Sequence, residues 1–496
     1  MRLNIYKQIN EMLNTFMEAI NYIKNSNNEE INRKLIEDSK LMLNSIDSVL
    51  TQNIGSIKDL RVFEQLKKCS KMIDDLLKTN ASKDIKALNI LDDCAKNLQI
   101  LFLNYVQYKI HVVFFAELGQ KWDAMNSVYE AFENREDCDV KVVLTPIFRK
   151  VKLNGETKTN VIYEDYLTEL GINFLHFKEY DISKHLPDMA FISNPYESTT
   201  LKDFWPENIA KFSKLVYLPY FTAVSYDEKL TYSIARMPVS RYSWRIIIQS
   251  NELKRMYEQT FNNKKENVLV SELPKWDELF KVINGKIKKD DKLKSISKTK
   301  KVFLWNTHYT IGSNKSTLLT YGQKILNHFK ERDDVFLIWR PHPMTETIFE
   351  MYTPEYLPLW KEMKEIAENT NNISIDNNPS YKNSLYFSAA LISDYSSLIA
   401  EYLFVRKPIL FLKDEKTENF LKNRKFLIPL NKLEQANSFE DIKNFINKIT
   451  KNNQFQERFK KEIKKDIPML DGKIGERLAT TLIEQLIEET MVNEPY

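Results

Sequence analysis

The chain has 496 residues, enough for two or three domains with buried cores. A net charge of +4 lacks the polycationic signature of a nucleic-acid binder, and three cysteines without a CxxC pair argue against a disulfide framework and a zinc site. The nine glycines form neither a GxGxxG pattern nor a P-loop, so any bound phosphate must be held by helix N-termini, hydroxyls and cations.

Residues 1–109 are predicted to be helical, because apolar residues recur at helical spacing and the first proline is Pro146. A helical hairpin or small bundle is the favoured interpretation, and coiled-coil oligomerisation and a membrane-surface helix are the alternatives. No apolar run approaches the length of a membrane span, and the N-terminus is too polar for a signal peptide. We therefore expect a cytoplasmic chain, with peripheral attachment at the inner face of the cell membrane left open.

From Ile110 onward, short apolar runs alternate with helical segments. This alternation predicts a parallel, doubly wound sheet over residues 110–285. The runs are IHVVFFAEL, CDVKVVLTPI, INFLHF, DMAFIS, KLVYLPY and NVLVSELP.

A stretch rich in Lys, Asp and Ser indicates a linker over residues 286–300, and the alternation then restarts over 301–496. The predicted class is α/β, with two Rossmann-like domains facing a cleft and an all-helical region before them. Ligands of such sheets bind beyond the carboxyl ends of the strands. The second series of runs is KVFLWNTHY, DVFLIWRPHP, NISIDN, AALISDYSS and KPILFL.

Three strand ends of the second series carry polar side chains that a parallel sheet would bring to one rim. His342 lies between two prolines, in a rigid turn suited to stabilising the charge of a phosphate leaving group. A lone histidine is more often structural, but here we favour function. The side chains at these strand ends include Thr307, His308, Arg340, His342, Asp394, Ser396 and Ser397.

The segment Ser-Asp-Tyr-Ser-Ser precedes a helical pattern, so its simplest role is to cap that helix. Capping is compatible with anion binding, because the free N–H groups and the helix dipole also attract a phosphate. Beside Arg-Pro-His-Pro, the segment is interpreted as a glycine-free phosphate cradle. Glu401, one turn after Ser397, is either a solvated carboxylate or an acceptor for ribose hydroxyls.

In combination and order, the segments VFLWNTHYT, LIWRPHP, ISDYSSLIAEYLFVRKPILFL and DGKIGER resemble the CDP-glycerol glycerophosphotransferase family, which includes teichoic-acid primases and polymerases and their capsule relatives. The resemblance covers roughly residues 110–485. VLVSELPKWDEL is similar to the interdomain segment of the family, although Glu272 stands where that segment has a glycine.

The resemblance implies a GT-B fold and transfer of glycerol phosphate from CDP-glycerol to a hydroxyl, with release of CMP. No metal-ligand cluster of Asp or His appears in the sequence, so we expect neither a metal nor a cofactor. His342 and Arg340 would contact the pyrophosphate, Ser396 and Ser397 would bind its oxygens, and Glu401 would hold the ribose. The remaining donor-site candidates are Asp394, Thr307, His308 and Lys275.

The sequence departs from the family at the catalytic base. Family polymerases have a histidine before the glycine of the first strand-to-helix loop, and Leu118 precedes Gly119 here. Glu117 is the preferred base because it directly follows the strand, and Asp123 is a helper or a helix cap. Each of these two acids also has the alternative of being a surface carboxylate.

The predicted function is transfer of a polyol phosphate from a CDP-activated donor to a surface polymer or its lipid-linked primer, in teichoic-acid or capsule synthesis. The alternatives are a GT-B glycosyltransferase that uses a nucleotide sugar and a non-enzymatic scaffold of a capsule-assembly complex. The expected partners are the donor and the acceptor, without nucleic acid. Membrane-surface contact and homo-oligomerisation through the N-terminal helices are further expectations.

Overall fold

The N-terminal region folds into four helices, which confirms the predicted helical character and gives a bundle. Consecutive helices pack on each other, and the first also packs on the fourth. Their buried stripes recur every three or four residues, as in Ile9, Leu13, Phe16 and Ile20, and form one hydrophobic core. The helices are α1 Leu3–Asn25, α2 Glu29–Gln52, α3 Arg61–Thr79 and α4 Ile85–Tyr105.

Within the described residues, the first sheet has seven strands in the order β10-β9-β7-β6-β1-β2-β5. Chain order runs outward from β1 in both directions, so the order reverses between β1 and β6, which pair in parallel. The strands are β1 Ile110–Ala116, β2 Cys138–Leu144, β5 Leu175–His176, β6 Met189–Ile192, β7 Lys214–Tyr217, β9 Arg245–Ile248 and β10 Val268–Val270.

Short helices connect these strands, and an antiparallel hairpin of β3 Ile147–Leu153 and β4 Glu156–Ile162 follows β2. The two-residue strand β8 Ser225–Tyr226 leaves the sheet and pairs with β16 Lys425–Phe426 of the second half. The helices are Gly119–Trp122, Asn126–Glu133, Tyr166–Glu169, Ile182–His185, Pro206–Ile209, Pro238–Tyr242 and Asn251–Thr260.

The second sheet has six strands within the described residues, all parallel, in the order β13-β12-β11-β14-β15-β17. Its order reverses between β11 and β14. Both faces are covered, because Leu304 and Ile338 belong to one core and Trp305 and Trp339 to the other. The strands are β11 Lys301–Thr307, β12 Val335–Pro341, β13 Ile373–Ile375, β14 Ala390–Ser393, β15 Ile409–Leu412 and β17 Glu434–Ala436.

Helices cover both faces of the second sheet and continue to the end of the described chain. The predicted linker 286–300 contains one of them, Asp291–Thr299, which Asp290 caps by accepting from the backbone N–H of Leu293 at 2.7 Å. The helices are Lys275–Ile283, Asp291–Thr299, Leu318–Lys330, Thr345–Tyr352, Leu357–Glu368, Lys382–Phe387, Ser397–Val405, Glu415–Leu421, Phe439–Lys451, Asn453–Ile463 and Ile474–Met491.

Two segments that carry the family resemblance meet in the structure. The buried carboxylate of Asp277 accepts from the backbone N–H groups of Ile474 at 3.1 Å and Gly475 at 2.8 Å, and so caps the last helix. A Cβ at Gly475 would lie 2.4 Å from the backbone of Ser127, so only glycine fits this approach. These residues of DGKIGER and PKWDEL therefore join elements together rather than line a binding site.

The predicted α/β class with parallel sheets is confirmed by this topology. No helix among the described residues is long and apolar enough to cross a bilayer. The computed structural model describes residues 1–79, 84–153, 156–162, 166–226, 235–260, 267–309, 315–422, 424–451, 453–467 and 469–491.

Candidate functional site

The switch point of the first sheet holds Glu117, the predicted base. Glu117 follows β1, and Asn194 follows β6, its neighbour across the reversal of strand order. The Nδ2 group of Asn194 donates to the Glu117 carboxylate at 3.0 Å, and the Lys121 ammonium lies 2.7 Å from its other oxygen. With only 7% of its surface exposed, Glu117 is not the surface acid of the alternative interpretation.

The switch point of the second sheet is organised by Asp394, which is completely buried. Its carboxylate accepts from the backbone N–H groups of His308 at 2.9 Å and Thr317 at 3.0 Å, and from the hydroxyls of Ser316 and Thr317. Burial raises the pKa of Asp394 to about 6, against the effect of these hydrogen bonds. Asp394 therefore fixes the residues after β11 instead of offering a free carboxylate to a ligand.

His342 lies at the end of β12 in a defined tautomer. The backbone N–H of Met344 donates to its Nδ1 at 3.1 Å, so this nitrogen carries a lone pair and a neutral ring has its proton on Nε2. Nε2 is then a hydrogen-bond donor. This is the group required to stabilise charge on a phosphate oxygen.

Two further candidates precede His342 in the chain, at the end of β11. Burial, together with the neighbouring His342 and Lys315, lowers the pKa of His308 to about 3, so its imidazole is neutral near pH 7. The hydroxyl of Thr307 is buried and has no hydrogen-bond partner among the described residues. In the register of the sheet, Thr307 pairs with Pro341, which brings His308 and His342 to one rim.

Arg340 belongs to the same rim, but its guanidinium is engaged within the domain. It donates to Asp376 at 2.8 Å and to the carbonyl oxygen of Asn378 at 2.7 Å, and it lies over the ring of Tyr381. Only 9% of the residue is exposed. To contact a pyrophosphate, as the resemblance implies, Arg340 would have to exchange one of these partners for phosphate oxygens.

Glu401 is buried, unlike the solvated carboxylate of the alternative interpretation. The Lys275 ammonium lies 2.6 Å from one carboxylate oxygen, and the hydroxyl of Tyr381 donates to the other. Lys275 also donates to the carbonyl oxygen of Tyr220 at 2.8 Å, so this ion pair links the two sheets. Binding of a ribose by Glu401 would replace Lys275 or Tyr381.

Ser396 and Ser397 open the helix Ser397–Val405. The side chain of Ser396 accepts from the backbone N–H of Leu398 at 3.1 Å, which is the capping role that the sequence left open. Ser397 lines an apolar cavity of about 180 Å³ between the two sheets, which Tyr226 and Tyr395 also line. The helix start therefore faces a cavity in the cleft, where its N-terminal dipole favours an anion.

Asp123, the second acid of the first loop, takes part in an ion cluster across the cleft. Its carboxylate lies 2.9 Å from the Lys382 ammonium, which also pairs with Glu278. Burial raises the pKa of Asp123, and the nearby ammonium of Lys382 opposes that shift. Asp123 lines a cavity of about 560 Å³ together with Asp376 and Lys382.

The structure thus brings His308, His342 and Asp394 to one rim, and Glu117 to the corresponding rim of the first sheet. Several hydrogen-bond and ion-pair partners of the predicted site residues were not identified from the sequence. Asp376 follows β13, so its strand-end position was a signal that could have found it. Asn194, just after β6, had the same signal, whereas Lys121, Tyr381 and Lys382 did not.

The ion pair of Lys275 and Glu401 gives a stability prediction. Lys275→Ala leaves a buried carboxylate without its cation, so the free energy of unfolding should fall by about 3–5 kcal/mol, measured by chemical denaturation. The exposed pair of Lys184 and Asp181 is the control, where Lys184→Ala should change stability far less. Equal effects of the two variants would contradict a structural role for the buried pair.

Comparisons with known proteins support the family that the strand-end motifs resemble. The model of the family CDP-Glycerol:Poly(glycerophosphate) glycerophosphotransferase matches residues 222–484, more than half of the chain. The teichoic acid ribitol-phosphate polymerases TarL and TarK of Staphylococcus aureus are 25% and 24% identical to this chain over 233 and 236 residues. Each alignment covers 46% of this chain, and it covers 39% of TarL and 43% of TarK, so the chain spans about two fifths of the curated relatives it matches.

A solved structure of a variant of the wall teichoic acid polymerase TagF is 14% identical and aligns over 87% of this chain and 99% of that one, with a TM-score of 0.50. At that identity, the likeness concerns the fold, and it supports the predicted GT-B arrangement of two Rossmann-like domains after a helical region. From the family match and the motifs at the strand ends, we conclude that this chain belongs to the CDP-glycerol glycerophosphotransferase family.

Proposed function

We propose that this chain transfers a polyol phosphate from a CDP-activated polyol to a hydroxyl group of a cell-surface polymer or of its lipid-linked primer, and releases CMP. The observation that carries the proposal is the position of His342 at the rim of the second sheet, where the backbone N–H of Met344 donates to its Nδ1. The family match supports the class of reaction. Teichoic-acid synthesis is the expected context, and capsule synthesis is the alternative context.

In the proposed step, the acceptor oxygen attacks the phosphorus atom that carries the polyol. The bond from this phosphorus to the bridging oxygen breaks, CMP leaves with the bonding electron pair, and the acceptor proton passes to Glu117. His342 donates to the departing phosphate, and the N-terminus of the helix Ser397–Val405 adds a favourable dipole. Such a transfer depends on positioning and charge stabilisation more than on covalent catalysis.

The donor is proposed to bind along the second sheet. Ser396 and Ser397 would hold the diphosphate, with Thr307 and His308 beside it. Arg340 would contact the diphosphate after exchanging a present partner. Glu401 would hold the ribose, with Lys275 beside it. Ser397 lines the apolar cavity of about 180 Å³ between the two sheets, which supports this placement of the diphosphate. The larger cavity of about 560 Å³ is lined by Asp123, Asp376 and Lys382 and by none of these donor-site candidates.

The identity of the polyol is a finer part of the proposal. The family description names glycerol phosphate, whereas the two staphylococcal relatives are named for ribitol phosphate. We propose CDP-glycerol as the donor and CDP-ribitol as the alternative donor to test first. Contact of the N-terminal helices with a membrane surface or with a second copy is a further proposal. The apolar stripes of these helices are buried in their own core, so its support is limited to exposed apolar residues such as Leu41, Ile90 and Ile100.

The test is a nucleotide-release assay of the full chain with CDP-glycerol, CDP-ribitol and a set of UDP-sugars, each with a lipid-linked glycerol-phosphate primer. We expect CMP from a CDP-polyol and no UDP from the sugars. Release of UDP with sugar transfer would instead support the glycosyltransferase alternative. A folded chain that turns over none of these donors would favour the scaffold, and the proposed activity would be wrong.

A further inference from the structure

Three tyrosines lie near the rims of the two sheets, and the proposed mechanism uses none of them, although Tyr309 belongs to the segment VFLWNTHYT. Tyr309 follows His308, and its ring lies 4.4 Å from that of His342 between centroids and 4.7 Å from that of His308. On the other side, Tyr196 and Tyr220 follow strands β6 and β7 of the first sheet.

Electrostatics connects these three side chains across the cleft. Burial raises the pKa of Tyr196, and the phenol of Tyr309 raises it further. Burial likewise raises the pKa of Tyr220, with additional contributions from Tyr196, Tyr309 and Glu117. These interactions support placing the three phenols near one another, with the Tyr309 ring against His342.

Two of the tyrosines contact the partners of the proposed base. The Lys121 ammonium, which pairs with Glu117, lies 5.2 Å from the centroid of the Tyr220 ring. The backbone N–H of Tyr196 donates at 3.2 Å to Asn194, which itself donates to Glu117. We call Tyr196, Tyr220 and Tyr309 the tyrosine wall.

The proposed reaction requires hydrogen-bond donors around the phosphoryl group that is transferred. While the phosphoryl group moves between acceptor and CMP, charge is spread over its non-bridging oxygens, and hydrogen-bond donors aimed there stabilise the transition state. His342 can donate from a single nitrogen, and the imidazole of His308 is held neutral. A phenol that keeps its proton supplies an O–H donor without adding a net charge to the buried cleft.

We propose that the tyrosine wall is the acceptor-facing side of the active site, and that Tyr309 is a catalytic residue that donates its O–H to a non-bridging oxygen of the phosphoryl group in transfer. This inference rests on the proposed function. Tyr309 forms a hydrogen bond only, so no proton leaves it and the balance of the transfer is unchanged. Tyr196 and Tyr220 are positioning residues that act through Tyr309 and Glu117.

The test separates the hydroxyl of Tyr309 from its ring. Tyr309→Phe keeps the ring against His342 and removes the O–H, so kcat for CMP release should fall by about 10²–10³-fold while KM for the donor and the affinity for CDP stay within about twofold. Tyr309→Leu removes both ring and hydroxyl and should lose at least as much. The matched control is Tyr352→Phe, at a tyrosine that is 67% exposed, and it should equal the wild type.

The outcomes distinguish a failure of the inference about Tyr309 from a failure of the proposed function. If the wild type releases CMP and Tyr309→Phe is equally active while Tyr309→Leu is impaired, the ring only orients His342 and the inference is wrong. If Tyr309→Phe mainly raises KM, its hydroxyl binds the donor ground state, which also overturns the transition-state role. If the wild type releases no CMP from any CDP-polyol, the proposed function fails first and the inference fails with it.

Discussion

Replacing His342 with alanine is expected to lower kcat for CMP release by about 10²–10³-fold, which is the usual cost of removing one donor aimed at developing negative charge. The side chain accepts from the backbone N–H of Met344 at Nδ1, so a neutral ring has its proton on Nε2, the proposed donor. Because the loss concerns the transition state, affinity for CDP should fall far less than turnover. The measurements are steady-state CMP release and calorimetric titration with CDP.

The controls for His342 address folding and the tautomer. His185→Ala, at the end of the helix Ile182–His185, should keep full activity, and His342→Ala should unfold at the same temperature as the wild type. His342→Gln retains an amide N–H and should recover part of the lost rate. Near-normal CMP release by a folded His342→Ala variant would remove this imidazole from the mechanism.

The position of the site was predictable because strand ends are visible in the sequence. Apolar runs marked β11, β12 and β14, and parallel sheets bring their carboxyl ends to one rim, so His308, His342 and Asp394 were expected together. The role of Asp394 was not predictable. Its hydrogen bonds to His308 and Thr317 depend on how the chain returns after β11.

The ion pairs could not be predicted from sequence patterns, for a related reason. Lys275 and Glu401 are 126 positions apart, and the link between Asp123 and Lys382 also joins separate halves of the chain. Charged residues on helices are usually solvated, and periodicity does not reveal which ones another element covers. The burial of Glu401 therefore came from tertiary structure alone.

The sequence did not reveal two elements whose local signals are short or polar. The strand β17 has the sequence Glu-Gln-Ala and lies at the edge of the second sheet, so it lacks the apolar run that marks its neighbours. The helix Asp291–Thr299 has no fully buried residue, and its many lysines made the segment resemble a linker. In both cases the neighbouring elements, rather than an intrinsic pattern, determine the structure.

Equivalent positions of the two sheets carry carboxylates, but these carboxylates have different roles. At each switch point a carboxylate accepts hydrogen bonds from a residue that follows the neighbouring strand, Glu117 from Asn194 and Asp394 from His308. Asp394 has four donors and no exposed surface, so it serves only to hold the rim. Glu117 has two side-chain partners and some exposure, which leaves it able to receive a proton.

Glu117→Gln is accordingly expected to depress kcat by about 10²–10⁴-fold, the range of general-base contributions, while donor affinity is spared. Glutamine preserves size and hydrogen bonding to Asn194 but cannot accept the acceptor proton. Lys121→Met is the control for the broken ion pair and should lose much less activity, because it leaves the carboxylate in place. In a pH–rate profile, the acidic limb of the wild type should be absent from Glu117→Gln. If that limb persists with normal turnover, Glu117 is not the base, and His308, whose lowered pKa leaves its imidazole neutral, takes its place as the residue to replace.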